Sequence, residues 1–320
     1  MTVRIFTAGM LCAFALGATA QSTFPTKPVR IVVPYAPGGG VDRMARLLAR
    51  PLSTALGQSV IVENLGGAAT VIGTTAVGRS APDGHTLLLT TNGFTVNILV
   101  KKKPGYDVDN FVAVAPVAVF SYVLGIYPKV PAKTLKEFTD YARREPDKVN
   151  AGAVGAGSAM HLLNERFETL TRLSIPDIHY RGLAPALADL MGGHVQMLFD
   201  TIGTTARQSK AGKVRVLAVT SPTRAALLPD VPTFRELGMD GMTQLGWQGI
   251  FAPLGTPVPV VDRLNREIVR IAGSSDIRAR FAPEGLSPLD LTRVEFAKFV
   301  RDDAAPWKNI VKALNIQIDN

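Results

Sequence analysis

Residues 32–46 read VVPYAPGGGVDRMAR. An apolar run meets a proline, three consecutive glycines and then a helical pattern. A strand, a glycine turn and a helix start place several backbone N–H groups at one point, because the first four N–H groups of a helix have no internal partner. The helix dipole adds about half a positive charge there. Glycine allows close approach and positive φ. Pro37, Gly38 and Gly39 therefore form a candidate anion seat, with Asp42 in the first helical turn; the plainer reading is a tight turn that needs glycine for backbone reasons alone. A second such turn, AGAVGAGSAM over 151–160, places Ser158 to cap a helix or offer its hydroxyl to a ligand. Two more strand ends carry polar groups, at Thr90-Thr91-Asn92-Gly93 and at Asp200-Thr201. Ligands of open α/β sheets collect beyond the carboxyl ends of strands, so these four ends would line one cleft.

The choice of anion follows from what the turns lack. A phosphate loop reads G-x-x-x-x-G-K-[ST], and no glycine turn here carries that lysine. The dinucleotide pattern G-x-G-x-x-G is missing from the first turn, and Gly152, Gly155 and Gly157 have the wrong spacing. A carboxylate needs two to four donors and no metal, and it fits better. An enzyme reading would pair Ser158 with His161, but the surroundings are not a G-x-S-x-G elbow. His161 is expected to pack or cap, and Asp200 to act as an orienting acceptor rather than a base. The four histidines, His85, His161, His179 and His194, show no H-x-x-x-H spacing, so no metal site and no cofactor are expected. Trp247 is read as hinge-side packing, with cleft lining as the alternative.

The elements that must hold these turns are those of an α/β fold. Strand-like and helix-like runs alternate throughout, which argues parallel strands. Strands are expected at 29–35, 59–63, 86–90, 149–154, 195–200 and 214–220, with one or two more in 111–127 broken by Pro116. Pro51 should kink or split the first helix. Thr134 with Glu137 and Thr292 with Glu295 are capping boxes. Thr256-Pro257 reads as a third helix start, with proline at the first helical position. The expected organisation is two lobes, 21–123 plus 246–320 and 124–245.

Composition sets the outer bounds. The chain has 320 residues, 47% hydrophobic and 19% charged, and its length favours two domains. Residues 1–20 show one basic residue, an apolar run and a small-x-small site at Ala18-Thr19-Ala20, the order of a secretory signal cleaved near Ala20. The only cysteine, Cys12, falls in that segment, so the mature chain would have neither thiol nor disulfide. That excludes a cysteine nucleophile and an iron–sulfur cluster and fits an oxidising compartment. The formal charge of +9 is scattered apart from Lys101-Lys102-Lys103, which reads as a solvated loop rather than a nucleic-acid patch.

Taken in order, the motifs resemble those of the extracytoplasmic solute-binding receptors of the tripartite tricarboxylate transporter family, the Bug receptors. The matches run along nearly the whole mature chain. They begin with Phe24-Pro-Thr-Lys-Pro28, Val33-Pro-Tyr-Ala-Pro-Gly-Gly39, Val62-Glu-Asn64 and Ala81-Pro-Asp-Gly84. Gly157-Ser158 with His161, Tyr180-Arg-Gly-Leu-Ala-Pro185, Phe199-Asp200 and Leu228-Pro-Asp-Val-Pro-Thr233 follow, then Trp247-Gln-Gly249 and Ala252-Pro-Leu-Gly-Thr-Pro257. The resemblance implies a two-lobed type II periplasmic binding protein fold, hinged over a small organic carboxylate. It implies a monomeric, non-enzymatic periplasmic receptor that serves a membrane permease; docking on a sensor kinase is the alternative output, and a secreted hydrolase using Ser158 and His161 is a third. Carried over, the ligand contacts are Pro37, Gly38, Gly39 and Asp42, then Ser158, then Asp200 with Thr201, with Tyr35 flanking; Thr91 joins them as a strand end. The family's glycine-rich run after Glu-Asn is replaced here by Leu65-Gly-Gly-Ala-Ala69, and the proline usual after Asn97 is Ile98.

Overall fold

The computed structural model describes residues 24–314 apart from Ala156 and Arg181, so the expected signal segment lies outside the described residues. The strands are β1 (Val29–Val33), β2 (Val60–Asn64), β3 (Thr86–Thr91), β4 (Phe111–Ile126), β5 (Ala151–Val154), β6 (Asp177–Tyr180), β7 (Met197–Thr201), β8 (Arg215–Val219), β9 (Leu245–Pro253) and β10 (Leu286–Pro288). The helices are α1 (Gly40–Leu56), α2 (Val71–Gly78), α3 (Gly93–Val100), α4 (Leu135–Arg144), α5 (Ala159–Thr171), α6 (Leu183–Gly192), α7 (Ile202–Lys210), α8 (Val258–Ala272), α9 (Ser275–Phe281) and α10 (Arg293–Leu314). No described helix is long and apolar enough to cross a membrane.

Strand β4 organises the molecule. Its residues 111–121 pair with β9, and Ala118–Phe120 also pair with β10. From Tyr122 onward it changes partners, to β7 on one side and β8 on the other. The sheet therefore has two halves. One runs β2-β1-β3-β9-β4, the other β4-β7-β5-β6. Pro116 does not break β4 as expected. The ladder shifts register between Pro116 and Ala118 and resumes, because a bulge absorbs a residue that cannot donate. Likewise α1 continues through Pro51, held by Met44, Leu48, Leu52 and Leu56, which are all buried on one face. The box at Thr292 closes in both directions, with Thr292 Oγ1 accepting Glu295 N–H at 3.3 Å and Glu295 accepting Thr292 N–H at 2.9 Å. At Thr134 the hydroxyl accepts Glu137 N–H at 3.2 Å, but the Glu137 carboxylate takes the N–H of Lys133, one residue earlier. Pro257 is the N-cap of α8, one position earlier than expected, with extended ψ at 135°.

Strand direction decides where the loops go. β3 is antiparallel to β9 and β9 to β4, so β3 and its parallel neighbour β1 run with β4, toward the second half. β7 is antiparallel to β4, so β7 and its parallel neighbour β5 run back toward the first half. The carboxyl ends of the two sets therefore point at each other. In register, Thr91 pairs Gln248, which pairs Ala118, whereas Thr201 pairs Tyr122. Four residues of β4 separate these levels, about 13 Å at strand rise.

Each half has its own core, with Val96 and Val100 of α3 reaching into the second. Val29, Ile31, Leu48, Leu87, Ile250 and Leu264 belong to the first; Leu124, Phe138, Phe167 and Phe199 belong to the second. Helix α10 joins them. Its Phe296 and Val300 pack with Phe94 and Trp247, and its Trp307 and Ile310 with Phe138 and Phe167. Between those pairs Asp303 accepts from Trp247 Nε1 at 2.9 Å and Gln244 Nε2 at 2.8 Å. Trp247 is thus wholly buried beside the crossover, in the packing role expected of it.

Candidate functional site

The first seat is the β1–α1 turn. Residues Pro37–Gly40 are exposed, and Gly38 has φ 80°, which favours glycine. The first helical bond of α1 runs from Arg43 N–H to Gly39 O, so the N–H groups of Gly40, Val41 and Asp42 precede it. Asp42 is buried and braces the turn from inside. Its Oδ2 accepts Gly38 N–H at 2.8 Å and Arg46 Nε at 3.1 Å. Burial alone would raise its carboxyl, but Arg46, the Gly38 N–H and Asn64 outweigh it and hold the group below the usual value. The cations here serve protein acceptors. Arg46 also reaches Asn64 Oδ1, and Arg43 donates to Gly38 O at 2.7 Å and to Glu284.

The start of α3 lies beside this seat. Tyr35 Oη and Thr91 Oγ1 are 2.7 Å apart. A methyl added at Gly93 would meet Tyr35 Oη at 3.4 Å and Thr70 and Thr91 Oγ1 at 3.9 Å each. Three hydroxyls thus ring one helix start. Thr70 ends a run that overlaps the departing segment Leu65–Ala69: Gly67, Ala68, Ala69 and Thr70 all have positive φ. Such backbone costs about 1–3 kcal/mol at each non-glycine residue and collects at functional sites. Asn97 supports it, donating to Ala69 O at 2.5 Å and Thr70 Oγ1 at 3.0 Å. Gly66 sits against the Tyr35 backbone, so the departing segment Leu65–Ala69 touches the first seat. Asn92 ties this end to the crossover, donating to Leu245 O at 3.2 Å and accepting from Tyr122 Oη at 3.0 Å.

On the opposing half, the β5–α5 turn has Gly155 at φ 68° and Gly157 at φ 75°. Ser158 caps α5: its Oγ accepts His161 N–H at 3.3 Å and donates to Val154 O. His161 Nδ1 accepts Gly157 N–H at 3.0 Å. The serine proton therefore goes to a carbonyl and the imidazole to a glycine amide. A nucleophile–base pair needs a hydrogen bond between the two side chains, and neither group offers one here. His161, Asp177 and His179 bring metal-ligating atoms within 4.8 Å of one another, a grouping that linear spacing did not show.

The β7–α7 turn holds Asp200, which is buried. Its Oδ1 accepts Thr201 N–H and Thr201 Oγ1, and its Oδ2 accepts Thr205 Oγ1. Burial pushes its carboxyl up to about 6, against those hydrogen bonds. Asp200 therefore braces the turn into α7 through Thr201 and Thr205 without capping the helix, whose N-cap is Thr201; Thr201 Oγ1 lies 3.3 Å from Thr204 Oγ1. Lys101 is buried, unlike the solvated loop expected for the lysine run; Lys102 and Lys103 are exposed.

Residues 44–316 match the family model described as "Tripartite tricarboxylate transporter family receptor". The chain belongs to this family. Solved structures agree. The periplasmic binding protein BugD is 33% identical, with TM-score 0.84, over 93% of this chain and 100% of that one. MatC from Rhodopseudomonas palustris with bound malate is 32% identical, with TM-score 0.82, over 90% and 100%. An R. palustris protein with adipate is 31% identical, with TM-score 0.86, over 93% and 100%. The two-lobed α/β fold expected from the sequence is that of these receptors.

Proposed function

We propose that this protein is a periplasmic receptor that closes over a small organic carboxylate and delivers it to a tripartite tricarboxylate-type permease. The lobes in this reading are 21–123 plus 246–320 and 124–245, and the receptor acts as a monomer after loss of its leader near Ala20. The observation that carries the reading is the opposition of the strand carboxyl ends, β1 and β3 against β5 and β7, each followed by a helix start. Helix starts offer N–H donors and a positive dipole end, which suit a carboxylate without a cationic side chain. The amides after Gly39, the hydroxyls of Tyr35 and Thr91, and the turns at Ser158 and Thr201 would hold the acid. Asp42, Asp200 and the Ser158 hydroxyl shape the turns that do so. Relatives with malate and adipate support the ligand class.

A thermal melt of the mature protein against malate, adipate, succinate and citrate tests this. Ligand at 100 times its dissociation constant adds about 2.7 kcal/mol. For about 300 residues that raises the midpoint by roughly 4 °C. A flat response to all four acids counts against the proposal.

A further inference from the structure

The turn before α5 is held from behind by a ring whose tautomer its neighbours dictate. His161 Nδ1 accepts Gly157 N–H at 3.0 Å. A nitrogen that accepts carries no proton, so a neutral His161 has its hydrogen on Nε2. That edge faces Asp177 Oδ2 at 3.4 Å and Glu165 Oε1 at 3.5 Å. Asp177 is oriented in turn. Its Oδ1 accepts Asn164 Nδ2 at 2.9 Å, and the same amide nitrogen reaches Gly152 O at 3.2 Å. A continuous line of contacts thus runs from β5 and β6 through the ring to Gly157. The turn needs such support, since glycines at positive φ are permissive and do not fix themselves.

The same cluster invites a metal reading, because His161, Asp177 and His179 come together. A cation on His161 Nε2 would force the ring hydrogen onto Nδ1, directly against the Gly157 N–H. Two donors would then face each other at 3.0 Å. Protonating the ring produces the same conflict. Burial pushes His161 below its ordinary value; Asp177 pulls it back up, and the His179 ring, 5.4 Å away, pushes it down. The groups facing the ring are thus Glu165 from α5 and Asp177 and His179 from β6.

We propose that His161 is a positioning residue for the second anion seat: its Nε2–H tautomer leaves Nδ1 to accept the Gly157 N–H and fixes the turn that presents the α5 helix start. The consequence for ligand affinity rests on the carboxylate-receptor reading; the tautomer and the Gly157 bond do not.

The test begins without ligand. Long-range proton–nitrogen NMR of the mature protein, with His161→Asn used to assign the ring, should show the Nε2–H tautomer at neutral pH. An Nδ1–H tautomer, an imidazolium, or loss of the Nε2–H signal with stoichiometric Zn²⁺ overturns the proposal. Asparagine places Oδ1 where Nδ1 sits and can accept, whereas leucine cannot. Gly157 amide exchange should be slow in wild type and His161→Asn, and roughly tenfold or more faster in His161→Leu, the equivalent of one lost hydrogen bond. Should the leucine variant fail to fold, the tautomer and the asparagine variant still decide. Malate and adipate affinities should follow the same order, with asparagine within about threefold of wild type and leucine roughly tenfold weaker. Equal affinity in the leucine variant overturns the positioning role. If none of the four acids of the melting panel binds wild type while tautomer and exchange behave as stated, the receptor reading falls and the fixing of Gly157 stands.

Discussion

Asp200→Asn tests how the third turn is built. In the wild type the carboxylate is buried, accepts from Thr201 and Thr205, and is pushed by burial up to about 6 from the ordinary aspartate value of about 3.9. Between those two values the native state holds the proton and the unfolded chain has lost it. Stability therefore falls as pH rises through the interval, in contrast to a salt-bridged aspartate. The full interval is worth about 3 kcal/mol, and the portion between pH 4.5 and 7.5 about 2 kcal/mol. Asparagine is nearly the same shape. Its Oδ1 can keep the Thr201 N–H, and the Thr205 hydroxyl can reverse to accept from Nδ2. The variant should thus gain about 2 kcal/mol relative to wild type on going from pH 4.5 to 7.5. Urea unfolding at both pH values measures it, followed by fluorescence of the wholly buried Trp247 and Trp307. A variant-minus-wild-type difference that does not change with pH, or that changes with the opposite sign, refutes the reasoning.

Three further outcomes follow from the packing between and within the halves. Gly203→Ala would place a methyl 2.2 Å from Glu284 O, forcing α7 away from the turn at Ala282–Glu284, and should destabilise by about 1–3 kcal/mol in urea unfolding. Asp303→Leu leaves the Trp247 indole N–H and the Gln244 amide without their acceptor, at about 1–3 kcal/mol for each buried donor. Because burial raises Asp303 to about 6, its removal should cost more at pH 5 than at pH 7.5, measured by the same unfolding assay. Thr134→Ala removes the α4 cap and should cost about 1 kcal/mol, with the loss visible as faster amide exchange in the first turn of that helix.

The parts legible in the sequence were those encoded locally. Glycines after an apolar run, helix caps at Thr134 and Thr292, and β-branched runs such as 29–33 state their own structure, because each depends on neighbours a few residues away. The glycine turns were placed, and so was the helix-capping role open to Ser158. What depends on distant partners was hidden. Pro116 looked like a break because a single strand cannot show the ladder that tolerates it. β6 and β10 are short and acquire their pairing only from β5 and β4. The acceptor role of Asp303 lies 56 residues from Trp247, and no pattern links them. His161, Asp177 and His179 meet only because β6 runs beside β5 and α5 packs over β5 and β7. The positive φ run at Gly67–Thr70 has no glycine at three of its four positions to announce it; Asn97, 27 residues beyond Thr70, helps to hold it.

The central claim is that one carboxylate is gripped by backbone amides from both halves at once. Amide chemical-shift mapping with a saturating acid from the melting panel tests it most directly. The account predicts concerted downfield shifts at 40–42 and at 159–160, the helix-start amides that no protein acceptor takes, on either side of the crossover strands. Shifts confined to one half, or gathered at a surface remote from both turns, would contradict it.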